Sequence, residues 1–362
     1  MPPRIYLDAN ATEPLRPEAR AAMLAALDIT GNPASVHADG RAARRVVEDA
    51  RERLAARFGG AASRLVFCSG GTEADALAVH GLSEGRRVLI GATEHDAIRA
   101  AAPDAEGVAV DGDGVVRLDA LAAALARPGR ALVCLMLANN ETGTLQPIAE
   151  VAALCRAHGA LLHVDAVQAA GRMAVEFAAL GASSMALSSH KMGGPAGVGA
   201  LLLDAPADGA LRPLIRGGGQ ERGHRGGTPA VAAIAGFAAA ADAPPADLQD
   251  LRDQVEREAV ACGALVAGAG ARRLGNTSCL MLPGVAAQTQ LIALDLDGIA
   301  VSAGAACSSG KVARSHVLAA MGLGALAEQA VRVSLPWNAC AADVAGFAAA
   351  YGRLALRVRR AA

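Results

Sequence analysis

Two lysines, Lys191 and Lys311, stand among 34 basic side chains, and the rest are arginine. The first lies in Met185-Ala-Leu-Ser-Ser-His-Lys191-Met-Gly-Gly194. A chain that fills ordinary surface positions with arginine marks a retained lysine as a candidate for chemistry arginine cannot do. Arginine stays protonated. Lysine in a desolvated pocket can lose its proton and attack a carbonyl carbon to form an imine. Chance survival of two lysines is the plain alternative. Lys311 is the weaker candidate, because no strand presents it.

The aldehyde of pyridoxal 5'-phosphate is one partner for such an amine, and its other needs can be sought along the chain. The pyridine nitrogen needs a carboxylate to hold it protonated, so that the ring draws electrons from the substrate Cα. Asp165 ends the apolar run Leu161-Leu-His-Val164, 26 residues before Lys191. Gln168 is placed to hydrogen-bond the ring hydroxyl. Gly70-Gly71-Thr72 opens a helix after the strand-like run Leu65-Val-Phe-Cys68, and backbone N–H groups at a helix start suit a phosphate. Ser188, His190 and Thr228 can add donors, and His95 can lie over the ring face. Each has a bland alternative: Asp165 as a helix cap, His95 as a surface loop residue, the glycine turn as a mere connection. Their recurrence at successive strand ends, where loops carry ligands, favours a shared site.

The elements that must position these residues alternate regularly. Short apolar runs at 65–68, 87–90, 131–137, 161–164, 184–188 and 199–203 read as buried strands, with helical stretches between several of them. That alternation predicts an α/β fold: a mostly parallel sheet covered by helices on both faces. Pro17 opens a helix to Leu27, with proline in the first turn, and residues 39–58 form a long Arg- and Glu-rich helix read as a solvated face. Arg216 to Thr228 is a glycine-rich loop whose arginines and threonine suit anions. Ala243-Pro-Pro245 punctuates the chain. The reading divides it into residues 1–243, a large cofactor-binding domain, and 244–362, a smaller α+β domain, with the N-terminal segment free to pack on the latter.

Composition bounds the rest. At 362 residues the chain exceeds a usual single domain. Hydrophobic residues make up 53% and aromatics 2%, so the core must be aliphatic. A net charge of −1 with no charge block argues against nucleic acid. Seven cysteines without a C-x-x-C pair argue for free thiols in a reducing compartment. The start, Met-Pro-Pro-Arg, does not read as a signal peptide, and no apolar run reads as a membrane span. The expectation is a cytoplasmic protein.

Tyr6-Leu-Asp-Ala-Asn-Ala-Thr12, Gly31-Asn-Pro-Ala-Ser35, Ser69-Gly-Gly-Thr-Glu73, Glu94-His95, Asn139-Asn-Glu-Thr-Gly143, His163-Val-Asp-Ala-Val-Gln168, Ser188-Ser-His-Lys191 and Arg225-Gly-Gly-Thr228 occur in unbroken order. Together they resemble the cysteine desulfurases, class V aminotransferase relatives with the fold type I architecture of pyridoxal phosphate enzymes. The resemblance spans roughly residues 4–355. It implies a homodimer in which Thr228 reaches the partner subunit's cofactor phosphate. It also implies that Asn140 and Arg332 bind the substrate carboxylate, for which an arginine fork is suited.

Cys307, in Ser302-Ala-Gly-Ala-Ala-Cys-Ser-Ser-Gly310, resembles the nucleophile of those enzymes. Its run of small residues suits a thiolate that must reach the substrate sulfur and carry it away as a persulfide. The spacing to Ser315 resembles the long-loop subgroup, which hands sulfur to acceptor proteins. Cys68, Cys134 and Cys155 read as packed core thiols. The implied reaction converts L-cysteine to L-alanine. Lys191 moves the Cα proton, His95 assists proton transfer, and Cys307 takes the sulfur. Transient ligation of an iron–sulfur cluster by Cys307 belongs to the same expectation. Acceptors open to it are an iron–sulfur scaffold, a tRNA-thiolation protein or a nitrogenase-type system. The short stretch after the last helix differs from relatives that dock a scaffold through a longer tail. Two other classes stay open: a selenocysteine lyase or small amino acid aminotransferase on the same scaffold, and an inactive partner in sulfur transfer.

Overall fold

The computed structural model describes residues 4–306 and 312–361. In chain order the elements are β1 (Ile5–Tyr6), α1 (Pro17–Leu27), α2 (Ala38–Arg57), β2 (Leu65–Cys68), α3 (Gly71–Leu82), β3 (Arg87–Gly91), α4 (Asp96–Ala101), β4 (Glu106–Val108), α5 (Leu118–Leu125) and β5 (Ala131–Met136). They continue with α6 (Ile148–Ala157), β6 (Leu161–Asp165), α7 (Phe177–Leu180), β7 (Ser184–Ser188), β8 (Gly199–Leu203), α8 (Ala205–Ala210) and α9 (Val231–Asp242). The last third holds α10 (Gln249–Ala261), β9 (Leu265–Val266), β10 (Thr277–Met281), α11 (Ala287–Leu296), β11 (Ile299–Ala300), β12 (Ala305–Ala306), β13 (Val312–Ala313), α12 (His316–Ala320), β14 (Ala330–Ser334) and α13 (Ala341–Ala361).

Seven strands form the main sheet in the order β2-β8-β7-β6-β5-β3-β4. The pairs from β7 through β6, β5 and β3 to β4 are parallel, whereas β8 runs antiparallel to both neighbours. The reversal has a simple cause. Between β7 and β8 lies only a turn, too short for the crossover of about a dozen residues that parallel strands require. Because β2 and β7 both oppose β8, their C-terminal ends emerge at one edge with those of β3, β5 and β6.

Strand residues alternate between two apolar layers, as the pleat demands. Leu65 and Phe67 of β2 join the core under α2, α5, α6 and α9, while Val66 and Cys68 join the core under α3, α4 and α8. A separate apolar cluster is built from Leu248, Val255, Leu280, Val331, Phe347 and Tyr351, and Leu7 of the N-terminal segment belongs to it. In line with this, β1 pairs parallel with β11, in the last third of the chain. The core is largely aliphatic, with Phe347 and Tyr351 stacked at 5.3 Å between ring centroids as a local exception.

Helix α2 keeps the solvated face expected of it, with Arg41, Arg44, Arg45, Glu48, Glu52 and Arg53 exposed, and departs from it at Arg51. Arg51 is 3% exposed, and donates to the Leu65 carbonyl at 2.7 Å and to both carboxylate oxygens of Glu221 at 2.7 and 2.8 Å. A fork-to-fork pair satisfies the guanidinium there and lets the helix bury a charge. Helix α3 starts at Gly71, three residues before the expected Ala74, and α4 and β4 are short elements that periodicity does not mark. Among the described residues, no helix is long and apolar enough to cross a membrane.

Candidate active site

The C-terminal edge of the main sheet carries a cavity of about 260 Å³. Gly71, Thr72, His95, Asn140, Asp165, Gln168, Ser188, His190 and Lys191 line it. Adjacent strands bring the central pair together: β6 and β7 are parallel, with Asp165 in register with Ala186, two residues before Ser188.

Lys191 closes a short helical turn, Ser189–Lys191, that follows β7. Its Nζ donates to the Asn10 carbonyl at 2.6 Å and the Ala11 carbonyl at 2.9 Å. Burial, reinforced by Arg172 and Arg332, pushes the amine down to about 7, against the pull of Asp8 and Asp165. A desolvated cation is disfavoured, so the free amine is populated near neutrality.

Asp165 ends β6, and its Oδ1 accepts from the Val167 N–H at 2.8 Å. Burial, and then the neighbouring Asp75 carboxyl, push it up to about 7, while the Val167 N–H, His95 and His163 oppose the shift. Asp75 is a site residue that the motif reading missed. It lines the same cavity from α3, and its Oδ1 lies 3.1 Å from His163 Nε2. Burial holds the Asp75 carboxyl well above its usual range and lowers the His163 imidazole to about 4. Burial thus disfavours charge on both partners, and His163 Nδ1 lies 2.8 Å from Ser184 Oγ on its other side. The available signal was an acid among the apolar positions Ala74, Leu77 and Ala78 of one helix.

The start of α3 and Ser188 line the same cavity. Helix α3 begins without a side-chain cap at Gly70. A Cβ on Gly71 would lie 2.7 Å from Val167 Cγ2 and 3.3 Å from Ser188 Cβ, so glycine is what lets this backbone close on β7. Ser188 Oγ is buried and has no hydrogen-bond partner among the described residues. The loop before α3 is held by Glu73, whose Oε2 accepts from the Ser69 N–H at 2.7 Å and whose Oε1 accepts from Arg225 Nε at 2.8 Å.

His95 caps α4, its Nδ1 accepting from the Ala97 N–H at 3.1 Å, which leaves Nε2 as the N–H-bearing nitrogen. His190 Nδ1 lies 3.1 Å from Thr12 Oγ1, and burial beside Lys191 and Arg172 lowers its imidazole to about 4. Gln168 donates from Nε2 to the Asn10 carbonyl at 3.1 Å and accepts from Arg172. Arg332, on β14, stands behind Asn140: its Nη1 donates to the Asn140 carbonyl at 3.1 Å and its Nη2 to Asp8 Oδ1 at 2.8 Å.

Thr228 is exposed and lines a different cavity, with Cys68, Ser69 and Arg225, rather than the one that holds Lys191. Cys307, with Lys311, lies outside the described residues. Cys68, Cys134 and Cys155 are buried, as core thiols are. Among the described residues, no group of three or more His, Cys, Asp or Glu side chains could hold a metal ion.

These residues fit a pyridine aldehyde that carries a phosphate. Lys191 offers a desolvated amine and Asp165 a buried carboxyl group. The unpartnered Ser188 hydroxyl beside the open start of α3 offers donors to an anion.

The family model for aminotransferase class-V matches residues 5–347. The chain is 41% identical to a cysteine desulfurase of Cereibacter sphaeroides, over 94% of this chain and 93% of that protein. It is 39% identical to an IscS-like cysteine desulfurase of Mycobacterium tuberculosis, over 99% and 98% of the two chains. The solved structure of a NifS-like protein from Rickettsia africae superposes with a TM-score of 0.90 at 32% identity, covering 97% of this chain and 99% of that one. Strand order, cavity and motifs thus coincide with a full-length match, and the chain belongs to the class-V aminotransferase family and, within it, to the cysteine desulfurases.

Proposed function

We propose that this enzyme holds pyridoxal 5'-phosphate on Lys191 and converts L-cysteine to L-alanine, leaving the sulfur as a persulfide on Cys307 for transfer to an acceptor protein. The observation that carries the reading is the shared cavity, in which Asp165 from the end of β6 meets Ser188 and Lys191 from the end of β7 and the turn after it. When bound, the cofactor supplies an electron sink for charge that develops at the substrate Cα.

The chain's own residues do the rest. Gly71, Thr72 and Ser188 hold the phosphate, with His190 beside them, and Asp165 pairs with the ring nitrogen. Gln168 faces the ring hydroxyl and His95 the ring face. Arg332 and Asn140 receive the substrate carboxylate. Arg332 then exchanges part of its present pairing with Asp8 for the incoming anion, a like-for-like replacement. Lys191, a free amine above about pH 7, takes the Cα proton. The Cys307 thiolate attacks the substrate Sγ, so that an S–S bond forms as the Cβ–S bond breaks. Delivery of a proton to Cβ completes alanine. One cysteine and one thiol give one alanine and one persulfide, with no external oxidant or reductant.

Thr228 does not line the cavity that holds Lys191. We assign it to the cofactor phosphate of a second copy, which makes the functional unit a homodimer. We also read residues 1–243 as the cofactor-binding unit and 244–362 as the smaller one.

Incubation with L-cysteine tests the reading. The enzyme is expected to release alanine and, with a reductant, sulfide. Cys307→Ala is expected to keep the yellow cofactor and lose nearly all sulfide release. Borohydride reduction followed by peptide mapping is expected to place the cofactor label on Lys191. A label on Lys311, or full turnover by Cys307→Ala, contradicts the assignments.

A further inference from the structure

Asn10 lies in the turn after β1, is 1% exposed, and touches both halves of the site. Its carbonyl accepts from Lys191 Nζ at 2.6 Å and from Gln168 Nε2 at 3.1 Å. Its side-chain Nδ2 donates to the Asn140 carbonyl at 3.0 Å and to Thr277 Oγ1 at 2.9 Å. Its Oδ1 accepts from Asn276 Nδ2 at 3.2 Å, and its backbone N–H donates to Ser334 Oγ at 3.0 Å. The Asn140 carbonyl is shared, because Arg332 Nη1 also donates to it at 3.1 Å. One buried amide therefore links the lysine to the arginine, across residues far apart in the chain.

The contact with Lys191 has a directional consequence. A neutral amine carries two N–H bonds and one lone pair. The Asn10 and Ala11 carbonyls take the two N–H bonds. The lone pair is left to the remaining tetrahedral position of a side chain that lines the cavity. Where that lone pair points, and how far it stands from the carboxylate clamp, must match an amino acid whose Cα–H is one bond from its carboxylate. Displacements of an ångström at such a position are costly to proton transfer.

We propose that Asn10 is a positioning residue for the reaction: its side-chain amide, tied to Asn140, Thr277 and Asn276, fixes the carbonyl that aims Lys191 Nζ and sets the separation between Lys191 and Arg332. The proposal rests on the reading of Lys191 as base and Arg332 as carboxylate clamp. A side chain that only stapled the N-terminal segment to β10 would affect stability alone. The charged groups around Lys191 are Arg172 and Arg332, which disfavour its proton, and Asp8 and Asp165, which favour it; the His190 imidazole beside it is itself held down to about 4.

The test uses the full-length holoenzyme and the variants Asn10→Ala, Asn10→Asp and Thr277→Val. It reads kcat and KM for L-cysteine across pH, the pH midpoint of the bound cofactor's visible absorbance without substrate, and Tm. Asn10→Ala is expected to lower kcat about tenfold to a hundredfold and to raise KM, as misplacement of a proton-transfer group by about an ångström does. Asn10→Asp places a carboxylate on the residue whose backbone carbonyl holds Lys191 and is expected to move the acid limb of kcat and the absorbance midpoint up by about one pH unit. Thr277→Val keeps the shape while removing one partner of the amide. It is expected to lower kcat and raise KM as Asn10→Ala does, by less, and it carries the test if Asn10→Ala does not fold. A lower Tm with wild-type kcat, KM, acid limb and absorbance midpoint overturns the proposal. Wild-type protein that binds no cofactor, or releases no alanine, overturns the functional reading instead.

Discussion

Asp165 shows how a site residue can oppose the stability of the fold that holds it. In the chain without cofactor, burial and Asp75 raise its carboxyl from 3.8 to about 7. Below pH 3.8 folded and unfolded chains are both protonated there, and nothing is lost. As pH rises from 3.8 to about 7 the unfolded chain ionises first, so stability falls across that window and levels off above it. Asp165→Asn removes the buried charge at little cost in shape. Denaturant melts of the cofactor-free protein at pH 5 and pH 8 are expected to show the variant gaining on wild type at the higher pH, by on the order of 2 kcal/mol. The same variant is expected to lose most activity, since an amide cannot hold the ring nitrogen protonated. Equal gains at the two pH values would mean that Asp165 is already ionised at pH 5.

At the scale of elements, the site depends on how closely β8, β7 and α3 approach. Gly199 opens β8, and a Cβ there would lie 2.6 Å from the Gly70 backbone carbon and 2.6 Å from the Leu187 carbonyl oxygen. Both neighbours are backbone, so relief requires the strand or the helix start to move. Gly199→Ala is expected to destabilise the fold by about 2–3 kcal/mol, as overpacking does, and to weaken cofactor retention, because Gly70 precedes the helix start assigned to the phosphate. Chemical denaturation and a cofactor dissociation assay measure the two effects. Undiminished retention in a folded Gly199→Ala protein would separate the strand contact from the helix start. Helix positions were legible from apolar spacing because a 3.6-residue period is local. The early start of α3 was less legible: two glycines read as a turn until the close packing of Val167 and Ser188 explains them.

At the scale of the whole molecule, Thr228 sits on a loop whose Arg225 anchors to Glu73, outside the cavity that holds Lys191. The dimer assignment predicts a sedimentation mass twice that of one chain. It also predicts that Thr228→Ala weakens cofactor binding about tenfold, through one lost hydrogen bond to a charged group. A monomer that binds cofactor as tightly as wild type excludes this arrangement. The N-terminal segment is a second feature of this scale. Through β1 and Leu7 it joins the core of the last third, and through Asn10 it reaches Lys191.

Residue order alone was enough to specify the strand–helix alternation, the lysine and the carboxylate at successive strand ends, and the glycine turn between β2 and α3. Each is a local pattern, written in neighbouring residues. Tertiary structure decided what no local pattern encodes. It brought Asp75 and His163 together as a buried pair, turned Arg51 inward to Glu221, and set Thr228 outside the cavity that holds Lys191. It also placed Asn10 between Lys191 and Asn140. In each case the partners lie tens to hundreds of residues apart. Their meeting depends on which strands pair and which segment crosses back, and composition and period carry no record of that.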